Sequence, residues 1–217
     1  MVRHPPTLDQ IDETPEEVFE QYGITKEEYR IRQTNRLARD NTAPKVGEPA
    51  PNFKLEKLTE NGSRTGEHCS LSDLRGKPVT LVFGSYTWPP FRHEAVRLNE
   101  IYEKYRDHIN FLCVYIKEAH PTDGWLGRYN QQEGILHAQP NSLNERAEIA
   151  EVCILKLNLK MPMVLDDMTN FAEESYKALP DRFYIVDAEG KVAWRGEAGP
   201  WGFDIDVWER SILDCIR

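Results

Sequence analysis

The stretch that decides the fold is Val79-Thr-Leu-Val-Phe-Gly-Ser-Tyr-Thr-Trp-Pro-Pro-Phe-Arg92. Residues 79–83 are apolar and partly β-branched, a pattern typical of a buried strand. A break at residues 84–87 follows. Pro89 and Pro90 then favour the start of a helix, because the fixed φ of proline suits the first turn and its missing N–H has no partner there. The stretch therefore predicts a strand, a short loop and the N-terminus of a helix.

The rest of the chain alternates between predicted helices and strands. Apolar residues spaced three and four positions apart continue the first helix through Leu98, Ile101, Tyr102 and Tyr105. Further strands are predicted at residues 109–116, 161–165, 182–186 and 191–195, and further helices at residues 143–154, 171–178 and 205–215. The turn at residues 187–190 joins the last two strands into an antiparallel hairpin. This alternation is typical of an α/β protein with a central mixed sheet flanked by helices.

Residues 1–45 are predicted to form a helical extension with a linker, and residues 46–217 a single domain. Two segments, Thr14-Pro15-Glu-Glu and Thr25-Lys-Glu-Glu28, each have a capping threonine and an acidic first helical turn. They predict helix between about residues 14 and 40, before a proline-rich linker. Apolar positions are sparse in this region, so the extension could pack on the domain, pack on a partner subunit in a homodimer, or fray.

The composition disfavours several classes of function. The chain of 217 residues has a formal net charge of −9, and 40% of its residues are hydrophobic. A general nucleic-acid or anionic-membrane binder needs a surplus of lysine and arginine, so a small molecule or a protein is the expected partner. The first ten residues do not resemble a signal peptide, and no run of about 18 apolar residues could span a bilayer. The cytoplasm is therefore the expected location.

No disulfide network, metal site or cofactor is predicted. The four cysteines have no CxxC spacing, and Cys113 and Cys153 lie in apolar patterns that favour burial. Cys69 lies in a polar stretch and is either an exposed, reactive thiol or an ordinary surface residue. The potential metal ligands match no zinc pattern; they are His68, Cys69, His93, His120 and His137.

The loop Gly84-Ser-Tyr-Thr-Trp-Pro-Pro-Phe91 resembles the selenocysteine loop of the iodothyronine deiodinase family, Gly-Ser-x-Thr-Sec-Pro-Pro-Phe. The similarity continues at residues 111–125, 142–146, 183–186 and 196–200, and covers about residues 46–215. It implies a thioredoxin-like fold, in which exposed N–H groups and the helix dipole activate a thiol or selenol in this loop. Trp88 occupies the nucleophile position. Its indole nitrogen is only a hydrogen-bond donor, so thiol or selenol chemistry cannot begin there.

The candidate catalytic residues are His120, Glu118 and Tyr86. His120 and Glu118 follow a predicted strand, at the edge of the sheet where α/β proteins place ligand crevices. As the resemblance implies, His120 would transfer a proton near neutral pH, with Glu118 or Asp123 orienting its ring. The alternative is a histidine that only satisfies local backbone groups. Tyr86 is either a hydroxyl donor in the same pocket or a ring packed against Trp88.

Four further residues are candidates for binding a substrate: Thr87, Arg92, Trp125 and Pro180. Arg92 would either bind a carboxylate or remain a surface cation, and Trp125 would either line a pocket or anchor its loop to the core. Thioredoxin-like proteins place a cis-proline opposite the nucleophile loop, so the resemblance predicts a cis bond before Pro180. Trp88 itself either fills the cavity or offers an aromatic face to a flat ligand.

Three functional hypotheses follow, and whether the protein is an enzyme stays open. In the first, a deiodinase-like protein without a nucleophile binds a small aromatic or carboxylated molecule at Tyr86, Trp88 and His120, or transforms it by non-thiol chemistry. In the second, Trp88 is not the natural residue, since UGA encodes selenocysteine in some contexts and tryptophan in some genetic codes; the protein is then a reductive dehalogenase or peroxidase-like oxidoreductase. In the third, it is a non-catalytic interaction protein.

Overall fold

Seven strands form one mixed sheet in the computed structural model, which describes residues 6–217. Residues 1–5 of the predicted extension lie outside the described residues. The strands are β1 (Lys54–Leu58), β2 (Arg64–Ser70), β3 (Val79–Gly84), β4 (Asn110–Tyr115), β5 (Met163–Leu165), β6 (Arg182–Val186) and β7 (Val192–Arg195). They lie in the order β2-β1-β5-β4-β3-β6-β7, with β3 parallel to β4 and antiparallel to β6. The predicted α/β class and central mixed sheet are confirmed.

The strands β1 and β2 were not predicted, unlike the other five. Most residues of β2 are exposed, and its sequence lacks the apolar alternation of a half-buried strand. Pairing of its backbone with β1, with Cys69 opposite Leu55, holds it at the edge of the sheet. This pairing buries Cys69 to 9% exposure, and burial raises the pKa of its thiol. The expectation of an exposed thiol at Cys69 is therefore wrong, whereas the predicted burial of Cys113 and Cys153 is confirmed.

The helices follow the predicted starts and stops closely in the domain. They are α1 (Leu8–Glu13), α2 (Glu16–Glu20), α3 (Lys26–Asp40), α4 (Pro89–His93), α5 (Ala95–Tyr105), α6 (Arg128–Glu133), α7 (Leu143–Leu157), α8 (Phe171–Tyr176) and α9 (Ile205–Cys215). α4 begins at Pro89, with Trp88 as its N-cap, as the two prolines predict. The predicted first helix is interrupted at Glu94, where the backbone has φ −93° and ψ 3°. No helix between residues 6 and 217 has the length and apolar character that crossing a bilayer requires.

The central strands β3 and β4 are buried on both faces of the sheet. Successive side chains of a strand point to opposite faces, so Val82 and Cys113 belong to one apolar layer, and Leu81 and Val114 to the other. On the first face, Trp208 of α9 is fully buried and stacks on Phe183 with ring centroids 4.6 Å apart. Layers on both sides fix the positions at which β3 and β4 end, and the loops that follow these ends form the site.

The N-terminal extension packs on the domain. Thr25 caps α3, exchanging hydrogen bonds with Glu28 as its sequence predicts, whereas Thr14 ends α1 and the N-cap of α2 is Pro15. The last turn of α3 is joined to the domain by Asp40, whose Oδ1 lies 2.6 Å from the guanidinium of the fully buried Arg182. Of the alternatives for the extension, packing on its own domain is the one observed, and it brings α3 over the loop that contains Trp88.

Candidate functional site

The loop between β3 and α4 is held by a buried polar network. The Glu118 side chain is enclosed, and its Oε2 accepts hydrogen bonds from the backbone N–H (2.9 Å) and the hydroxyl (2.6 Å) of Thr87. The Tyr115 hydroxyl donates to the other oxygen of Glu118 at 2.5 Å. Burial raises the pKa of Glu118, while the hydrogen bonds from Thr87 and Tyr115 act in the opposite direction. Glu118 therefore positions the loop and does not orient the ring of His120.

Thr87 is fully enclosed by the same network. Its hydroxyl oxygen accepts a hydrogen bond from the backbone N–H of His120 at 3.1 Å, and its carbonyl accepts one from the Asn130 amide at 2.7 Å. All of its polar groups thus have partners within the protein. Thr87 lies beneath the surface of the site, so the expectation that it binds substrate is not supported by its position.

His120 lies between two tryptophans. Its ring stacks on Trp88 with centroids 5.3 Å apart and meets the edge of Trp125 at 4.4 Å. Nδ1 lies 2.9 Å from the backbone carbonyl of Trp125, which can only accept, so Nδ1 carries the proton of the neutral ring. Nε2 is left with its lone pair. The ring is oriented by this carbonyl and by neither predicted carboxylate: Asp123 instead accepts from the backbone N–H of Gln139.

The charge of His120 differs from the sequence expectation. Burial lowers its pKa to about 4, and the neighbouring guanidinium groups of Arg32, Arg92 and Arg36 act in the same direction. The imidazole is therefore neutral at pH 7, and Nε2 can accept a hydrogen bond there. A histidine of this kind is a poor general acid near neutral pH, contrary to the role predicted for it.

Trp88 has a buried carboxyl partner that the sequence did not reveal. Its indole N–H donates to Oδ2 of Asp181 at 2.6 Å, and Asp181 is fully enclosed. The other carboxyl oxygen has no hydrogen-bond partner within residues 6–217. Burial raises the pKa of this carboxyl from 3.8 to about 7, against the hydrogen bond from Trp88. Asp181 directly follows Pro180, whose peptide bond is cis as predicted, and this adjacency is the sequence signal that could have found it.

Two glycines permit these close approaches. A Cβ on Gly84, at the end of β3, would lie 2.4 Å from a ring atom of Phe91, so only glycine lets α4 fold back over the strand. A Cβ on Gly199 would lie 1.3 Å from Oδ1 of Asp181. The segment that contains Gly199 therefore closes directly over the carboxyl group.

Tyr86 and Arg92 point away from Trp88. Tyr86 belongs to the apolar core, and its ring meets the edge of His137 with centroids 5.7 Å apart. Arg92 is buried and donates to the Tyr86 carbonyl at 2.7 Å and to the Asn130 side chain at 2.9 Å, and it also pairs with Glu133. Neither residue lines the cavities at Trp88, so their predicted contact with a substrate is not supported by the geometry.

Two neighbouring cavities meet at Trp88, His120 and Trp125, the three residues that line both. The aromatic cavity has a volume of about 530 Å³, and its further lining includes Tyr22, Tyr29, Tyr129 and Trp201. The cationic cavity has a volume of about 220 Å³, and its further lining includes Arg32, Arg36, Arg39, Lys177 and Pro180. Of the predicted substrate-binding residues, Trp125 and Pro180 thus lie at the site. The tyrosines and arginines of the extension are lining residues that the sequence did not suggest.

The residues considered as metal ligands are dispersed. His68 and Cys69 lie on β2, His93 contacts Glu133, and His137 contacts Tyr86. Over the part of the chain that the structure describes, no group of three His, Cys, Asp or Glu side chains is arranged to hold a metal ion.

Known proteins share this sequence and this fold. The family model of iodothyronine deiodinase matches residues 22–214. The chain is 36% identical over 161 residues to type I iodothyronine deiodinase of Xenopus laevis, covering 73% of this chain and 59% of that protein. It is 34% identical over 160 residues to thyroxine 5-deiodinase of Ovis aries, covering 73% of this chain and 52% of that protein. The chain thus spans little more than half the length of these curated relatives.

A solved structure extends the likeness to the fold. The thioredoxin domain of a thiol-disulfide oxidoreductase from Bacteroides vulgatus superimposes with a TM-score of 0.52 at 18% identity, covering 78% of this chain and 99% of that one. At this identity the likeness concerns the fold alone. The predicted thioredoxin-like fold is confirmed.

Proposed function

Since this chain belongs to the iodothyronine deiodinase family, we propose that it uses the family's loop to bind a small aromatic or carboxylated molecule without thiol or selenol chemistry. The observation that carries the proposal is the position of Trp88. Its side chain occupies the nucleophile position, stacks on His120 and lines both cavities. An aromatic surface thus stands where the family resemblance places a reacting atom.

His120 supports binding more than catalysis. A neutral imidazole whose pKa is lowered to about 4 holds almost no proton to donate at pH 7 and is a weak base. Its Nε2 can still accept a hydrogen bond from a phenol or an amide of a bound molecule. Stacking between aromatic rings and one such hydrogen bond are the interactions that this site offers.

Asp181 supports tryptophan as the resident side chain at position 88. Its Oδ2 accepts the indole N–H at 2.6 Å, and its other oxygen has no partner among the described residues. A cysteine or selenocysteine side chain ends one atom beyond Cβ and would leave this buried carboxyl without its indole donor, which is energetically costly. The codon for residue 88 tests this directly, since UGA beside a selenocysteine insertion element would restore the oxidoreductase hypothesis.

Binding of 2-naphthol tests the proposed function. At about 0.3 kcal/mol per non-hydrogen atom, a molecule of this size should bind with a dissociation constant on the order of millimolar, measurable by ligand-observed NMR. We expect Trp88→Ala and His120→Ala each to weaken binding severalfold. Phe171→Ala, which removes an exposed aromatic ring outside both cavities, should leave it unchanged. Equal binding by all four proteins, or none by the wild type, would refute the proposal.

A further inference from the structure

The cationic cavity contains two arginines that lack acidic partners. Arg39 pairs with Glu173 at 2.5 Å and with Glu174 at 3.3 Å, and Lys177 lies 3.6 Å from Glu174. Among residues 6–217, no carboxylate lies within 4.0 Å of the guanidinium groups of Arg32 or Arg36, although both line this cavity. The cavity therefore combines neutralised cations with two that remain uncompensated.

Arg32 and Arg36 lie instead against tryptophan rings. Cζ of Arg32 is 5.0 Å from the centroid of Trp125, and Cζ of Arg36 is 4.9 Å from that of Trp201. One N–H of Arg36 donates to Gln33 at 3.0 Å. A guanidinium placed over an indole face is attracted by its π electrons and keeps its edge N–H groups available for a carboxylate. Both arginines are thus oriented, and both are left with donors.

The two stacking partners connect the arginines with the aromatic cavity. Trp125 lines both cavities and Trp201 lines the aromatic one, so each guanidinium lies at the junction between them. The aromatic cavity, at about 530 Å³, is of a size typical for small-molecule sites, whereas the cationic cavity, at about 220 Å³, suits a small polar group. This division matches a molecule with an aromatic body and an acidic end.

We propose that the protein binds an elongated aromatic carboxylate, with its rings in the aromatic cavity and its carboxylate held by Arg32 and Arg36 of α3. The proposal rests on the proposed function and assigns the N-terminal extension to the binding site. The planar, forked donors of two guanidinium groups match the two oxygens of a carboxylate. Burial lowers the pKa of Arg36, which shows that its surroundings penalise the positive charge. An anionic ligand would compensate this charge.

Two matched probes test the proposal by isothermal titration calorimetry: 6-hydroxy-2-naphthoate and its neutral analogue 6-hydroxy-2-naphthamide. We expect the wild type to bind the carboxylate at least about tenfold more tightly than the amide, because hydrogen bonds to charged groups are the stronger ones. In Arg32→Gln/Arg36→Gln this preference should fall to less than about twofold, while the affinity for the amide is retained. The preference of the wild type should also decrease between 50 and 200 mM salt.

The control variant is Arg30→Gln/Arg210→Gln, which removes the same charge from exposed positions outside both cavities and should keep the preference. Arg36→Lys, which keeps the charge but loses the fork, should retain a reduced preference and guards against misfolding of the double variant. Equal binding of the two probes by the wild type, or a preference that survives in Arg32→Gln/Arg36→Gln, overturns the assignment of α3. In either case binding of the amide that depends on Trp88 would leave the proposed function standing, whereas binding of neither probe by the wild type overturns both.

Discussion

Asp181→Asn should stabilise the protein above neutral pH and lose this advantage in acid. The buried carboxyl has a pKa of about 7, against an ordinary value of 3.8. One pKa unit corresponds to about 1.4 kcal/mol, so ionised Asp181 reduces the free energy of unfolding by about 4 kcal/mol. Because the pKa is raised on folding, the stability associated with the protonated group is fully present below pH 3.8 and is lost as the pH rises through 7.

The asparagine variant separates this charge effect from the loss of hydrogen bonds. Its amide oxygen can still accept from the indole of Trp88, but its NH₂ group would occupy the place of the unpartnered oxygen. An unsatisfied buried amide costs about 1–3 kcal/mol at every pH. Relative to the wild type, the variant should thus be less stable near pH 4 and more stable near pH 8. The difference between the two proteins should change by about 4 kcal/mol over this range.

Urea unfolding followed by circular dichroism at several pH values between 4 and 8 measures this difference. His120 contributes a pH dependence of opposite sign, since burial lowers its pKa from 6.5 to about 4 and its contribution is lost as the pH falls through that range. It is present in both proteins and so cancels in the comparison. The exposed Asp107→Asn serves as the control, with a constant difference expected. A constant difference for Asp181→Asn as well would refute the reasoning.

Two further predictions concern the same site. His120 should stay neutral between pH 5.5 and 8, with its proton on Nδ1, because burial lowers its pKa to about 4; ¹⁵N NMR of the ring nitrogens measures both properties, and a titration midpoint above 6 would contradict this assignment. Gly199→Ala should lower the free energy of unfolding by more than about 2 kcal/mol, because its Cβ would lie 1.3 Å from Oδ1 of Asp181. Gly127→Ala is the matched control, since its Cβ would lie 3.6 Å from the His120 ring, and similar losses in the two variants under urea unfolding would exclude the steric explanation.

The parts of the fold that could be predicted depend on local sequence. Pro89 and Pro90 specify a helix start through their own backbone geometry, and the turn at residues 187–190 specifies a hairpin. By contrast, β2 is polar and mostly exposed, and its pairing with β1 is made by backbone groups that leave little trace in the sequence. Similarly, α6 is a short polar helix with no apolar stripe.

The candidate site was predicted less completely, because its residues come from distant segments. Trp88, His120, Trp125 and Pro180 were identified from motifs and do meet at the cavities. Tyr86 was assigned to the same pocket because it lies two positions from Trp88, yet the backbone reverses between them, with the Trp88 N–H donating to the Ser85 carbonyl at 3.2 Å. Proximity along a turn does not determine the direction of a side chain. The burial of Asp181 and the placement of α3 arise from tertiary packing that no local pattern encodes.

The two buried carboxyl groups of the site have different consequences because their surroundings differ. Glu118 accepts three hydrogen bonds and holds the loop, whereas Asp181 accepts one from Trp88 and is influenced by the positive charges of Arg36 and Arg182. A carboxylate bound at Arg36, as we propose, would offset the charge that favours ionised Asp181. Binding would then favour the protonated form of Asp181, and by linkage protonated Asp181 would favour binding. Trp88 connects the two, since it lines the cationic cavity and donates to Asp181. The residue that excludes thiol chemistry thus couples the binding site to a buried group that titrates near neutral pH.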